Sequence, residues 1–123
     1  MLDASALLAH LQGEPGGDKV PLTVGDAAMS AVNYAETVSV LTRKGADAAS
    51  VRAKLSTVLL DIVDFDYETA EAAGLMVAMT RPFGLSLGDR ACIAAAAREG
   101  VPVLTAERSW SNLNPGVPIQ LIR

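Results

Sequence analysis

Short apolar segments alternate with helical patterns along most of this chain, and that alternation restricts the folds it can adopt. Strands are predicted over Leu2 to Asp3, Asp26 to Ala31, Asp61 to Phe65, Val101 to Leu104 and Val117 to Ile122. Strands that alternate with helices through short loops, without an internal repeat, favour an α/β sandwich. We therefore predict a three-layer α/β/α sandwich with a mostly parallel central sheet of four to five strands. At 123 residues the chain is expected to form a single domain spanning 1–123.

The helices are predicted from apolar periodicity and from residues that can cap a first turn. These caps are Ser5, Ser30, Asp47, Asp66 and Ser86. The helix that follows Asp66 is expected to reach about Met79. The segment Asp18 to Val24 is at best a short helix, because its proline is tolerated only in a first turn. Thr105 is expected to cap a short segment that runs to Trp110.

The most informative helix start lies at Ser86 and Asp89. Their spacing is that of a capping box, and an Ala-rich segment follows it up to Gly100. The free N–H groups and the dipole of a first turn favour a carboxylate, so Asp89 is expected to be ionised and able to hold a hard cation. Taken alone, the motif is more often only a helix cap.

Three further acids change the weight of that motif. Asp3 and Glu107 fall at strand-to-helix junctions, where open α/β sheets bind ligands. Glu36 follows Asn33 by three residues, so the two share one helix face beside an apolar stripe. Converging carboxylates favour a divalent ion such as Mg²⁺ or Mn²⁺. The alternative for Glu36 is a solvated helix edge.

Composition excludes several kinds of protein. Ten Lys and Arg against fourteen Asp and Glu give a net charge of −4, which argues against nucleic-acid binding through bulk charge. One cysteine, Cys92, rules out a disulfide framework, and one histidine, His10, rules out a Cys/His metal cluster. No apolar run approaches the length of a membrane span, so a cytoplasmic protein without membrane contact is expected.

Four segments, in order along the chain, carry a resemblance to one family. They are Leu2 to Ala9, Ser30 to Glu36, Leu85 to Cys92 and Leu104 to Trp110. Each is weak alone, whereas all four at suitable intervals are specific. With them the sequence resembles a PIN-domain ribonuclease, and specifically a VapC-type toxin of a type II toxin–antitoxin pair.

The resemblance implies an activity, a site and partners. It implies a metal-dependent endoribonuclease toxin that hydrolyses RNA phosphodiesters with Mg²⁺ or Mn²⁺ and is inhibited by a cognate VapB-type antitoxin, with a homodimer as the expected assembly. The implied catalytic acids are Asp3, Glu36, Asp89 and Glu107, of which Asp3 and Asp89 are the firmest metal ligands. Residues implied to fix these carboxylates are Ser5, Asn33 and Thr105. Residues expected to contact RNA are Arg81, Arg90, Arg108 and Lys19.

The sequence departs from the family pattern in two places. The fourth acidic position, usually Asp, is Glu107, whose longer arm suits a water-mediated or second-metal contact better than a rigid ligand. Only Met1 and Leu2 precede Asp3, so incomplete backbone pairing of the central strand is expected. The resemblance places that first strand in the middle of the sheet.

Two other functions are compatible with an acidic pocket. A degenerate, non-catalytic PIN-like domain that binds a partner is consistent with Glu107 and with the short first strand. A receiver-like domain that binds Mg²⁺ and accepts a phosphoryl group would need a lysine after a late strand, but no lysine follows Lys54. Cleavage of RNA with and without Mg²⁺ separates these readings.

Overall fold

The structure is a computed structural model, and it describes residues 1–21, 23 and 25–123. In this part of the chain the helices are α1 (Ala4–Leu11), α2 (Ala31–Arg43), α3 (Ala48–Leu55), α4 (Tyr67–Leu75), α5 (Val77–Thr80) and α6 (Leu87–Glu99). The strands are β1 (Ala27–Ser30), β2 (Leu60–Val63), β3 (Val103–Thr105) and β4 (Ile119–Leu121). Short 3₁₀ turns cover Gly17–Lys19, Arg81–Phe83 and Arg108–Asn112.

The strands form two parallel pairs that Leu2 joins into one surface. β1 pairs with β2, and β3 pairs with β4, both in parallel register. Leu2 makes parallel bridges to Met29 on one side and to Leu104 on the other. The order across the molecule is therefore β2, β1, Leu2, β3, β4. This arrangement confirms the predicted α/β class and the central place of the first strand.

The backbone of the short first strand is hydrogen-bonded on both sides. The Leu2 N–H donates to the Ala28 carbonyl at 2.7 Å, and the Asp3 N–H donates to the Leu104 carbonyl at 3.0 Å. The Leu104 N–H donates in return to the Met1 carbonyl at 2.8 Å. The expectation of incomplete pairing was wrong, because strands on both flanks reach this segment from Met1 onward.

Alternating side chains fill two hydrophobic clusters on opposite faces of the sheet. Leu2, Met29 and Leu104 belong to the cluster that packs against α1, α2 and α3. Met1 and Val103 belong to the cluster that includes residues of α6, together with the buried Trp110. Strands β1, β2 and β3 thus each contribute side chains to both cores, which gives the predicted layering of helices on both faces.

Most predicted caps are confirmed, and one is wrong. The side chains of Ser30, Asp47, Asp66 and Ser86 each accept a backbone hydrogen bond from a first turn. Helix α1, however, begins at Ala4 with Asp3 as its cap, not after Ser5. Both side chains could cap a helix, and the Asp3 carboxylate takes the Ser5 N–H at 3.3 Å.

Several predicted element ends move by a few residues for local reasons. β3 begins after Val101 because the Val101 N–H completes the end of α6 by donating to the Ala96 carbonyl. The helix after Asp66 ends at Leu75, and α5 continues it after Met76. The expected helix over Asp18 to Val24 includes Leu22 and Val24, which lie outside the described residues.

Three smaller differences complete the comparison. β2 runs from Leu60 to Val63 instead of Asp61 to Phe65, and β4 is shorter than Val117 to Ile122. Thr105 does not cap the segment that leads to Trp110: its hydroxyl oxygen accepts the Glu107 N–H at 3.0 Å, and the 3₁₀ turn that follows Glu107 has no side-chain cap. None of the helices in the described ranges combines the length and the apolar character needed to cross a bilayer.

Leu2 offers a direct test of the sheet's central link. Its side chain is 2% exposed, so Leu2→Ala is expected to lower the free energy of unfolding by about 3 kcal/mol through lost burial and a residual cavity. Leu75→Ala is the control, because Leu75 is 73% exposed and its change should stay within about 0.5 kcal/mol. Urea unfolding of the purified variants measures both. Equal losses for the two variants would contradict a structural role for Leu2.

Candidate active site

The Asp3 carboxylate lies at the carboxyl end of the first strand and is 2% exposed. Its Oδ2 accepts hydrogen bonds from the Ser5 hydroxyl at 2.5 Å and from the Thr105 hydroxyl at 3.0 Å. Its Oδ1 accepts a hydrogen bond from the Asn33 amide at 3.3 Å. A carboxylate is costly to bury unless donors surround it, and these donors meet that requirement.

The two hydroxyls beside Asp3 are themselves oriented by the backbone after β3. The Ala106 N–H donates to the Ser5 oxygen at 3.0 Å, and the Glu107 N–H donates to the Thr105 oxygen at 3.0 Å. Both hydroxyl oxygens therefore accept from the backbone while their protons point to Asp3. This arrangement fixes the rotamer of Asp3 and ties α1 to the end of β3.

Asn33 links three elements at the floor of the site. Its side chain is fully buried, and its Nδ2 donates to Asp3 Oδ1 and to the Gly88 carbonyl at 3.2 Å. These bonds connect α2 to the first strand and to the first turn of α6. The Asn33 Oδ1 atom has no hydrogen-bond partner among the described residues. A buried amide oxygen of this kind is available to a ligand hydrogen bond or a cation.

Glu36 and Asp89 approach the same first turn of α6 in different ways. Asp89 closes the predicted capping box: its Oδ2 accepts the Ser86 N–H at 2.7 Å. Glu36, one turn after Asn33, extends across Gly88 from α2. Gly88 was not among the predicted site residues, although glycine in the first turn of an Ala-rich helix is a visible anomaly in the sequence.

The charges of these acids interact. Burial raises the pKa of Glu36 above its ordinary value, and the negative charges of Asp3, Asp89 and Glu107 raise it further, against a lowering by Arg43. Burial and Asp3 also raise the pKa of Asp89, while hydrogen bonding to Ser86 lowers it. The negative charges of Asp3, Glu36 and Asp89 thus act on one another.

Glu107 lies at the edge of this group. Its side chain is exposed, and it precedes the 3₁₀ turn without capping it. Its charge is the last and smallest of the carboxylate effects on Glu36. Glu107 is thus exposed, as is Glu36 on α2, whereas Asp3 is buried and Asp89 is half-buried.

The donor set suits a hard cation in kind. Carboxylate, hydroxyl and amide oxygens are ligands of Mg²⁺ and Mn²⁺. The one thiol, that of Cys92, is buried, and burial raises its pKa well above the ordinary value, so it does not add a soft ligand to this set. As they stand in the described ranges, no three His, Cys, Asp or Glu side chains are gathered closely enough to hold an ion. Asp89 takes part in its helix cap through Oδ2 alone, so the cap engages one of its two carboxylate oxygens.

Two of the four residues predicted to contact RNA, Arg90 and Lys19, lie in different surroundings. Arg90 donates to the carbonyls of Ser86 and Ala73, so its guanidinium braces α6 against α4. Lys19 lines a cavity with Pro102 at the edge of the sheet where β3 begins, opposite the end that holds Asp3. Arg81 and Arg108 are exposed.

The family profile of the PIN domain matches residues 1–114, and this chain belongs to the PIN-domain family. That membership confirms the resemblance seen in the sequence and sets aside the receiver-like alternative. VapC proteins of this family are nucleases, and PIN-domain nucleases generally use divalent metal ions. A comparison with curated proteins gives no significant match.

Solved structures similar to this chain are toxin–antitoxin complexes. DNA-bound VapBC from Salmonella typhimurium has a TM-score of 0.77 at 18% identity, over 100% of this chain and 97% of that chain. VapBC2 from Rickettsia felis, bound to a DNA fragment from its promoter, has a TM-score of 0.75 at 17% identity, over 98% of this chain and 96% of that chain. VapBC-1 from nontypeable Haemophilus influenzae has a TM-score of 0.73 at 17% identity, over 99% of this chain and 96% of that chain. At these identities the likeness shows the fold.

The raised pKa of Glu36 predicts how stability depends on pH. The folded state holds the proton of Glu36 more tightly than the unfolded state, whose value lies near 4.5. This contribution is fully present below the unfolded pKa and is lost as pH rises through the folded pKa. Glu36→Gln, which stays neutral, should therefore melt above the wild type at pH 7.5, and the gap should close below pH 4.

Thermal midpoints across that pH range, measured in buffer with EDTA, test this expectation. Glu71→Gln removes one negative charge from the exposed side of α4 and serves as the control. If the thermal midpoint of Glu36→Gln rose relative to that of the wild type as pH falls, the folded state would stabilise the ionised Glu36, which would contradict the expectation.

Proposed function

We propose that this chain is a VapC-type toxin, an endoribonuclease that hydrolyses RNA phosphodiesters with a divalent metal ion. The observation that carries the proposal is the buried Asp3 carboxylate, which is surrounded by oriented donors. In addition to burial, its negative charge raises the pKa values of both Glu36 and Asp89. The negative charges of Asp3 and Asp89 both raise the pKa of Glu36, and repulsion of this kind costs stability, so a folding role alone gives no reason for it. Membership of the PIN-domain family supports the same chemistry.

Each side chain has a defined part in this proposal. Asp3 and Asp89 would hold Mg²⁺ or Mn²⁺, with Glu36 as the third core acid. Ser5, Thr105 and Asn33 act on Asp3: their hydrogen bonds keep both carboxylate oxygens at fixed positions. A divalent ion bound there supplies positive charge against the phosphodiester and lowers the pKa of water.

The proposal needs no side-chain nucleophile. The Ser5 hydroxyl already donates to Asp3 and accepts from the Ala106 N–H. The sole histidine, His10, contacts the Gly17 carbonyl at 3.0 Å through Nδ1 and lies outside the acidic group. Activation of water at the carboxylates therefore remains the chemistry that these residues support.

Asp89→Asn is the sharpest test of the activity. The amide can still accept the Ser86 N–H, so the capping box and the fold should persist while one negative charge is lost. We expect single-turnover cleavage of a fluorescent single-stranded RNA, in Mg²⁺ or Mn²⁺, to fall at least about a hundredfold. EDTA should abolish cleavage by the wild type.

Asp47→Asn is the matched control for that variant. Asp47 caps α3 by accepting the Ser50 N–H at 2.8 Å, as Asp89 caps α6, but it is exposed and belongs to another helix. Its replacement should leave cleavage unchanged. Asp3→Asn is less informative, because it places an amide among donors that require an acceptor and should lower stability as well as activity.

The same assay assigns Glu107. If Glu107 acts through water or a second ion, Glu107→Gln should lower the rate while binding of the first ion persists, and Glu107→Asp should keep partial activity. Cleavage that needs neither metal nor Asp89 would contradict the proposed function and favour the non-catalytic alternative. The scattered carboxylates and the exposed Glu107 are the observations behind that alternative.

We further propose that the chain acts in the cytoplasm, where it forms a homodimer and is inhibited by a cognate VapB-type antitoxin. The similar solved structures are VapBC complexes, which supports the antitoxin. Tyr67, Leu75 and Val77 leave large apolar side chains exposed on α4 and α5, as a chain with protein partners would. An arginine of the antitoxin that pairs with the carboxylates would displace the metal.

Co-expression with a candidate VapB-type antitoxin, to be sought in the adjacent upstream reading frame, tests the proposed partner. The two chains should co-purify, and the complex should cleave RNA at a rate at least tenfold below that of the free chain. Mn²⁺ affinity should fall in parallel, because the inhibitor and the ion share the carboxylates. An inhibited complex with unchanged Mn²⁺ affinity would rule out occlusion of this site.

A further inference from the structure

Gly88 is the second residue of α6, at a position where the backbone itself does not call for glycine. Its φ lies outside the left-handed region, unlike that of Gly84 shortly before it. Glycine lowers helix stability relative to alanine, and the rest of α6 is rich in alanine. A reason for glycine must therefore lie in what surrounds it.

Two side chains of α2 occupy the space beside Gly88. A Cβ atom at this position would lie 2.7 Å from Glu36 Oε2, closer than side-chain carbons and oxygens approach each other. The Asn33 amide, one turn earlier on α2, donates to the Gly88 carbonyl at 3.2 Å. Helix α2 thus meets Gly88 twice, through side chains three residues apart on one face.

From this contact we infer that Gly88 is a positioning residue: its missing side chain lets the Glu36 carboxylate lie against the first turn of α6, next to Asp89. The effect of this positioning on metal binding rests on the proposed function, in which Glu36 is the third core acid. Any side chain at position 88 would push the Glu36 carboxylate outward. The Asn33 bond keeps the backbone of Gly88 from moving to compensate.

Gly74 provides a matched control within the same protein. It also lies inside a helix, α4, but a Cβ added there would meet no atom within 4 Å. Gly74→Ala should therefore gain helix propensity without touching the acids, and its thermal midpoint should rise by about 2 to 4 °C. Gly88→Ala should rise by less, because its new methyl group displaces Glu36.

The test combines metal binding with a direct observation of Glu36. Mn²⁺ affinity is measured by calorimetry on the RNA-free protein, and the Glu36 carboxyl carbon is followed by NMR at fixed pH without metal. We expect Gly88→Ala to weaken Mn²⁺ binding about tenfold and to shift the Glu36 carboxyl resonance, and Gly74→Ala to do neither. In a Glu36→Ala background, Gly88→Ala should cause no further loss of affinity.

The outcomes separate this inference from the proposed function. An unmoved Glu36 resonance in Gly88→Ala overturns the positioning role, whatever happens to the metal. An equal loss of affinity with and without the Glu36 side chain also overturns it, because the effect would then be that of a general disturbance of α6. If the wild type binds no Mn²⁺, the proposed function fails, and the Glu36 resonance alone decides whether Gly88 positions that side chain.

Discussion

The burial of one carboxylate, that of Asp3, holds this structure together. It caps α1, ends the central strand and accepts hydrogen bonds from Thr105 at the end of β3 and from Asn33 on α2. Three parts of the chain, α1, α2 and β3, thus have side chains that donate to this one carboxylate. An unsatisfied buried polar group costs about 1 to 3 kcal/mol, so the arrangement specifies the fold as well as the site.

Glu36 and Asp89, the acids near Asp3, destabilise the folded state when they are ionised. Burial and mutual repulsion raise the pKa values of Glu36 and Asp89, so both carboxylates are less stable in the folded protein than in water. Asp89 recovers part of this loss through its helix cap, whereas Glu36 recovers part of it through the positive charge of Arg43. Binding of a cation would relieve the same repulsion, so the energetic penalty and the proposed chemistry have one origin.

The sequence predicted features governed by local rules and missed those governed by packing. Strand alternation and the caps at Ser30 and Ser86 depend on nearby residues, and the structure contains them. Asp3 and Ser5 compete for one cap, and the choice depends on Thr105, which lies a hundred residues away. The Arg90 contacts with helix carbonyls likewise require knowledge of which helices touch, because an arginine in a sequence looks the same in either role.

The distance along the chain between Asp3 and Thr105 has a consequence for biosynthesis. Their side chains bond directly, yet 102 positions separate them. Leu2 gains its second flanking strand only when Leu104 is available, so the two halves of the sheet cannot join earlier. A nascent chain that emerges from the ribosome therefore carries Asp3 with Ser5 and Asn33 but without Thr105, and the full set of donors forms only after β3 has been made. If the chain cleaves RNA, the site therefore stays incomplete at least until β3 has been made, and its own messenger and ribosome do not meet the finished site before then.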